Sequence, residues 1–411
     1  MEEKRVVITG VGAVCAVGND VRTTWDSLMA GRHGFARIES MDLTGQKVTV
    51  GAEVKGFEYP DRREAKRLDP FCQFGLVACG EALEMSGIVA GENVAPERAG
   101  VYLGSGIGGI RTLEREMTNG REHGYRRVSA LLVPMIIINI LPGNVSIKYG
   151  FKGNTMGIVT ACSSGTHSVG EAWRAIKLGL EDVIIAGGAE SPFAPVCVAG
   201  FANMKAMTES ADPDRASIPF DKERDGFVIG EGAGALVLEE LEHAKARGAN
   251  ILAEVVGYGT STDAYHITQP SPDGKGAEYS MNMAIESAGI KPSDISYINA
   301  HGTSTPMNDL FETRAIKTVF GAAAHSVPVS STKSMTGHAL GAAGALEAVF
   351  CVQSMLEGRI PPTVGYQVPD DELDLDYVTE GARDVDVKYA MSNSLGFGGH
   401  NGTVVFKKYE G

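Results

Sequence analysis

A chain of 411 residues exceeds one ordinary compact unit, so about two domains, or two halves of a duplicated one, are expected. With 43% hydrophobic residues, 21% charged residues and a formal net charge of -14, it has the composition of a soluble globular protein and lacks the positive field that a general nucleic-acid or anionic-membrane binder needs. The opening MEEKRVVITGVG carries neither the charged n-region nor the apolar h-region of a signal peptide, and no apolar stretch approaches the roughly 20 residues of a membrane span, so a cytoplasmic protein is expected.

From the N-terminus, short β-branched runs alternate with helical patterns. RVVITGVG reads as a strand before a helix over residues 20–30, GVYLGSG as a strand before a helix from Ile110, GIVTAC as a strand before a helix after Ser163, and DVIIAGGAE as another strand. This is the rhythm of a layered α/β protein. Near Asn250 it restarts: ILAEVVGYG echoes RVVITGVG, and there follow a helix over 276–289, the strand ISYINA, a helix over 309–320, VPVSSTK and an Ala-rich helix after His338. Residues 1–250 and 251–411 are then two similar halves, or a chance echo among α/β units. KYAMSNSLGFGGHNGTVVFKK closes the chain as a hairpin around a glycine-rich connection. The 52 glycines, about twice the usual share, point to tight turns around a crowded centre. GSGIGG at 104–109 lacks the GxGxxG spacing and an acidic residue placed for a ribose, and with GEGAGALVLEEL it reads as close backbone packing and not as a phosphate cradle.

The six cysteines are scattered without CxxC spacing, so neither a zinc site nor a disulfide framework is indicated. Cys162 stands apart because β-rich GIVTA runs into Ser163 and Ser164, which suit a helix start, with Val169, Trp173, Ile176 and Leu180 recurring at helical spacing. At a helix N-terminus, the dipole and free N–H groups favour thiolate over thiol; a structural cysteine in a tight elbow is the alternative. His167 reads as helix packing or surface. His301, ending ISYINA, and His338, opening the Ala-rich helix, both follow strands, where α/β sheets present side chains to a shared crevice. Near a helix N-terminus an imidazole is biased toward neutrality and can donate N–H to a developing oxyanion; two satisfied core histidines are the bland alternative. Lys333, among Ser330, Ser331, Thr332, Ser334 and Thr336, suits a polar pocket better than a solvated face.

VTACSSG, NAHGTSTP, STKSMTGHALGAAG, PFDKERDGFVIGEGAGALVLEELEHA and SNSLGFGGHNGTVVFKK resemble, in order and spacing, the elongating β-ketoacyl-acyl carrier protein synthases over nearly the whole chain. GSGIGG, with Ile107 at an acyl-pocket position, is most similar to the synthase II type. The resemblance implies a thiolase-like α/β fold: two duplicated halves, each with a mixed five-stranded sheet, layered α-β-α-β-α, in a homodimer. It implies decarboxylative Claisen condensation, with Cys162 as nucleophile, His301 and His338 as the paired histidines, Lys333 supporting them, and the N–H groups of Cys162 and Phe397 as oxyanion hole. Phe397 is then also a gate, with Gly398 and Gly399 giving its loop freedom beside the substrate, while Ile107 and Phe201 line the acyl tunnel. Thr303 and Thr305 match contacts to a phosphopantetheine arm. Arg62, Arg63, Lys66 and Arg67, at helical spacing, and Arg126, Arg127 and Lys205 match positions that dock an acyl carrier protein.

No metal or cofactor is implied beyond the phosphopantetheine carried by the substrates, although some relatives hold a structural monovalent cation; neither nucleic acid nor membrane is a partner. Two alternatives share parts of this pattern. Met307 and Asn308, leading to Asp309 and Glu312, also resemble ketosynthases of aromatic polyketide pathways. A catalytically dead chain-length partner subunit is the other, and Cys162 argues against it. Residues 153–157, GNTMG, lack the family's usual Gly-Pro, and His400 is a tolerated variation.

Overall fold

The computed structural model describes residues 3–411. Its main sheet has ten strands: β1 (Val6–Cys15), β2 (Ala99–Gly104), β3 (Thr155–Ile158), β4 (Val183–Glu190), β5 (Gly232–Glu240), β6 (Ala253–Thr262), β7 (Tyr297–Asn299), β8 (Val329–Ser330), β9 (Tyr389–Gly396) and β10 (His400–Lys408). The order across it is β8-β7-β9-β10-β6-β1-β5-β4-β2-β3. Split between β6 and β1, each side holds five strands with the same internal order, third-second-fourth-fifth-first. The pairing senses repeat too: first with fifth and fifth with fourth antiparallel, fourth with second and second with third parallel.

The two five-stranded sheets meet edge to edge. Val6, Val7 and Ile8 of β1 pair antiparallel with Val255, Glu254 and Ala253 of β6, and Arg5 closes the seam with two hydrogen bonds to Glu254 at 2.6 and 3.0 Å. Every residue of β1 is buried because both of its faces are covered, and its one polar side chain, Thr9, donates to Glu239 at 2.9 Å.

Helices cover the sheets in layers. α1 (Pro70–Ser86) packs outside the first half; it starts on Asp69, whose carboxylate accepts from the Phe71 N–H, and ends on Gly87 at φ +67°. α2 (Ser164–Lys177) and α6 (Ala343–Glu357) form the central layer, touching strands of both halves. α3 (Pro195–Asn203) lies over the site described below, and α4 (Lys275–Ala288) and α5 (Pro306–Phe320) cover the second half. The three largest apolar cores lie around α1, around α2 and α6, and around α4 and α5. The crowding implied by the glycine count is real at the α2–α6 crossing, where a Cβ on Gly165 would stand 2.7 Å from the Ala345 nitrogen.

Against the sequence expectation, one stretch does have the length and hydropathy of a membrane span: Leu340–Glu357, mean hydropathy 1.2. It is the central-layer helix, 89% buried within the protein, so its apolarity reflects contact with sheets on both sides.

Candidate active site

Cys162 sits in a single 3-10 turn, Ala161–Ser163, between β3 and α2. Ala161 adopts φ +51°, a left-handed conformation that non-glycine residues rarely hold, and the neighbouring serines pin the turn. Ser164 Oγ accepts from the Thr160 N–H at 2.9 Å and donates to the Ala161 carbonyl at 2.7 Å, while Ser163 Oγ donates across the halves to the His400 carbonyl at 2.8 Å. Ser163 therefore does not cap α2 through its side chain, as its sequence position had implied.

The thiol is buried, and burial pushes its pKa up to about 11. The backbone N–H groups of Phe397 and of Cys162 itself, together with the charge of Lys333, pull the other way, and Glu190 adds to the rise. The expected bias toward thiolate at a helix N-terminus is thus overturned, because desolvation outweighs two amide donors and a cation.

His301 stands one residue beyond the short β7 and is held by its backbone: the N–H groups of His301 and Gly302 each donate to Glu312 of α5 at 2.8 Å. His338 does not open a helix. It follows the one-turn helix Lys333–Thr336 and Gly337, and it is clamped by donation from its N–H to the Val228 carbonyl (2.8 Å) and from the Gly230 N–H to its own carbonyl (3.0 Å). The rings stand edge to face, centroids 5.2 Å apart at 86°, with Phe227 edge-on to His338 at 5.4 Å. Both residues are buried, and in each the Nδ1 atom is buried without a hydrogen-bond partner.

Burial first, then the charge of Lys333, holds both imidazoles well below the ordinary value of 6.5; His338 adds to the effect on His301. The neutrality expected of them is found, with desolvation and not a helix terminus as its cause. Lys333 is only 1% exposed and is paired with Glu347 of α6. Burial raises the Glu347 carboxyl to about 7 even though Lys333 opposes the shift.

These side chains converge. A cavity of about 370 Å³ is lined by Cys162, His301, His338 and Phe397, with Phe201 and Leu340 on its apolar wall and Thr303, Thr305 and Lys205 among its polar lining. The threonine hydroxyls lie 3.0 Å apart. The Phe397 ring is 6.3 Å from Phe201 at a tilt of 41°. Gly398 and Gly399, at φ +83° and +75°, form the bend behind Phe397 and do not line the cavity. Their loop is fastened to residues 263–267: the Gly398 N–H donates to the Ile267 carbonyl at 2.8 Å, and the Asp263 N–H to the Gly399 carbonyl at 2.9 Å.

Ile107 lies outside this cavity. It lines a second one of about 480 Å³ with Ile110, Leu113, Ile137, Ile138 and Val159, yet it packs on the same apolar cluster as Cys162, Phe201 and Leu340. Arg62, Arg63, Lys66, Arg67, Arg126, Arg127 and Lys205 are exposed, and none forms an ion pair among the described residues.

Sequence reasoning gave no role at the site to the buried carboxylates behind it, although Glu312 was named within a family-like segment. Glu347 had a readable signal, a lone acid in the apolar run GALEAVFCV; Glu312 had none, since its contact with His301 depends on how α5 returns against β7. His167 proves to be a buried packing residue hydrogen-bonded to Tyr258 at 2.6 Å.

With the imidazoles neutral, activity that depends on their N–H donation is expected to hold at pH 6.5 and to fall only at lower pH, since protonation must reach a depressed pKa. A pH profile of that activity checks this; an acid limb centred at or above 6.5 contradicts it.

Residues 3–244 match the family described as Beta-ketoacyl synthase, N-terminal domain, and residues 252–367 match its C-terminal domain. The 3-oxoacyl-acyl-carrier-protein synthase 2 of Staphylococcus aureus is 49% identical over 412 residues, which span 100% of this chain and 99% of the relative. The protein of the same name from Synechocystis sp. is 48% identical over 414 residues, with 100% and 99% covered. Among solved structures, a beta-ketoacyl synthase from Burkholderia phymatum shares the fold with a TM-score of 0.91 at 35% identity, covering 99% of this chain and 100% of that one. A type II polyketide ketosynthase, solved in complex with its acyl carrier protein, gives 0.92 at 33% identity with the same coverage. This chain belongs to the β-ketoacyl synthase family.

Proposed function

We propose that the protein is an elongating 3-oxoacyl-acyl carrier protein synthase of the synthase II type, joining a Cys162-bound acyl group to malonyl-acyl carrier protein. The observation that carries this is one cavity holding a cysteine sulfur flanked by two backbone N–H donors and two buried, neutral imidazoles 5.2 Å apart. In the first step the sulfur attacks the acyl thioester carbonyl. The N–H groups of Cys162 and Phe397 receive the oxyanion, and the carrier's phosphopantetheine thiol leaves with the proton that Cys162 gives up. In the second, malonyl-carrier protein loses carbon dioxide, and the enolate oxygen accepts N–H donation from His301 and His338. Its carbon attacks the acyl-Cys162 carbonyl, the carbon–sulfur bond breaks to release 3-oxoacyl-carrier protein, and the Cys162 thiolate takes a proton from water to close the cycle. Thr303 and Thr305 hold the phosphopantetheine arm, and Phe397 gates the exchange of the two carriers.

No second cysteine lines the cavity, which disfavours the thiolase route of deprotonating an acetyl thioester. Fatty acyl chains are favoured over polyketide chains by 49% identity to synthase 2 against 33% to the polyketide ketosynthase. Purified protein given acyl- and malonyl-carrier proteins should yield a 3-oxoacyl thioester two carbons longer with stoichiometric carbon dioxide; acyl exchange without carbon dioxide release refutes the proposal.

The carrier is acidic in this proposal, and it docks on the unpaired Arg62, Arg63, Lys66 and Arg67, with Arg126, Arg127 and Lys205 supporting it. Reversing the Arg62–Arg67 charges is expected to raise KM for carrier substrates about tenfold at low salt with kcat little changed. An unchanged KM removes this surface from the interface. A second copy of the chain pairs along β3, an open sheet edge beside exposed Val133, Met156 and Val159, and closes the Ile107 cavity. Light scattering giving a single-chain mass at micromolar concentration rules out that dimer. The protein works in the cytoplasm.

Next to the histidines, Asn299 and Ser392 are register partners on β7 and β9, and their side-chain oxygens, with Glu347 Oε2, are buried without hydrogen-bond partners. Buried oxygen donors left open on β7, β9 and α6 fit a structural monovalent cation, which would neutralise charge there and stiffen the sheet. Equal thermal stability in potassium and in tetramethylammonium buffers excludes it.

A further inference from the structure

Glu190, the last residue of β4, is completely buried and forms no ion pair among the described residues. Its carboxylate is held by four donors from two separate segments. Oε1 accepts from Ser105 Oγ (2.8 Å) and the Ile107 N–H (3.2 Å); Oε2 accepts from the Gly106 N–H (2.6 Å) and the Gly341 N–H (2.9 Å). The GSGIGG turn, which resembles an anion-binding loop, thus cradles an anion belonging to the protein itself. Ser105 Oγ in turn accepts from the Gly108 N–H at 3.0 Å, so the whole turn is fixed around the carboxylate.

What the clasp joins are two walls beside the nucleophile. One segment carries Ile107; the other follows Leu340, which lines the Cys162 cavity two residues beyond His338 and holds a left-handed φ of +46°. Ile107, Leu340 and Cys162 all pack in one apolar cluster. The approach is so close that a Cβ on Gly341 would lie 2.3 Å from the Gly106 nitrogen.

We propose that Glu190 is a positioning residue that sets acyl chain-length selectivity by locking the Ile107 turn to the Leu340 turn beside Cys162. This rests on the condensing function proposed above. A buried carboxylate is an unfavourable choice for simple packing, but it alone offers two oxygens that each take two donors. Glutamine at this position must turn an NH₂ group toward backbone N–H donors at one end, which releases either Ile107, with the Ser105 hydroxyl turning to accept, or both Gly106 and Gly341.

The test is kcat/KM for short, medium and long saturated acyl-carrier proteins with Glu190→Gln and, as a milder lesion that keeps the carboxylate, Ser105→Ala. The long-to-short ratio is expected to shift by about tenfold or more in Glu190→Gln and by about threefold in Ser105→Ala, because loosened walls discriminate chain ends differently. A purely structural role lowers all chain lengths equally, so an unchanged ratio in a folded Glu190→Gln, whatever its absolute rate, overturns the proposal. Should Glu190→Gln not fold, the ratio in Ser105→Ala decides alone. The unaltered protein serves as control: if it accepts no acyl group on Cys162, the condensing function fails, whereas normal acylation with an unmoved ratio in the variants sinks only the role of Glu190.

Discussion

Cys162→Ala is expected to abolish condensation, by about 10⁴-fold or more, while malonyl decarboxylation continues. Without the sulfur no acyl-enzyme forms, yet the groups proposed to stabilise the enolate are untouched: His301 is placed by Glu312, and His338 by Val228 and Gly230. Carbon dioxide release from malonyl-carrier protein, measured beside 3-oxoacyl product, separates the two activities. His301→Ala should show the opposite pattern, with decarboxylation itself depressed and acylation of Cys162 retained. Equal loss of both activities in the cysteine variant contradicts this division of labour.

Lys333→Met is expected to cost about 3–5 kcal/mol of stability, because it strands Glu347 in the core without its cation. Denaturant unfolding measures the cost. Part of it is relieved by protonating Glu347, whose carboxyl is already raised to about 7, so the destabilisation should be smaller at pH 6 than at pH 8. The sign follows from the linkage: with the cation gone, the folded state holds this proton more tightly than the unfolded chain, and stability falls as pH rises. Adding Glu347→Leu should recover most of the stability, since removing both partners of a buried pair is often neutral. The acid limb of decarboxylation should instead move to higher pH in the double variant, because the charge of Lys333, after burial, helps hold both imidazoles down. Full recovery of decarboxylation in the double variant, with the acid limb unmoved, would make the pair purely structural.

Much of the fold was legible in the chain because its patterns are local. Asp20 before a helix, the apolar VVITGVG of β1 and the glycine-rich bend between β9 and β10 each announce themselves within about ten residues. The restart near Asn250 was visible as rhythm alone; its meaning, one strand order used twice, exists only in the paired sheet. The edge-to-edge seam between β1 and β6 could not be read, since register is set by which faces are covered and not by either strand separately.

At the site, residue types at element ends marked Cys162, His301 and His338, but the electrostatics rest on another cause than local context suggested: the imidazoles are neutral as expected, while the thiol is pushed up instead of down. A helix terminus was expected to ionise the thiol and to keep His338 neutral. Burial decides both instead, raising the thiol to about 11 and depressing the imidazoles, because desolvation is a property of the assembled cavity. The roles of Glu190, Glu312 and Glu347 were not legible: Glu190 meets Gly341 from 151 residues away, and Glu312 and Glu347 reach His301 and Lys333 only because a helix folds back on the turn before it.

The central claim, that one sulfur carries the growing chain while two imidazoles prepare the incoming unit, is tested most directly by intact-protein and peptide mass spectrometry. The unaltered protein, mixed with acyl-carrier protein, should gain the mass of one acyl group on the peptide containing Cys162, and malonyl-carrier protein should then discharge it into a 3-oxoacyl product. An acyl group found on any other residue, or one on Cys162 that survives the malonyl chase, contradicts the account.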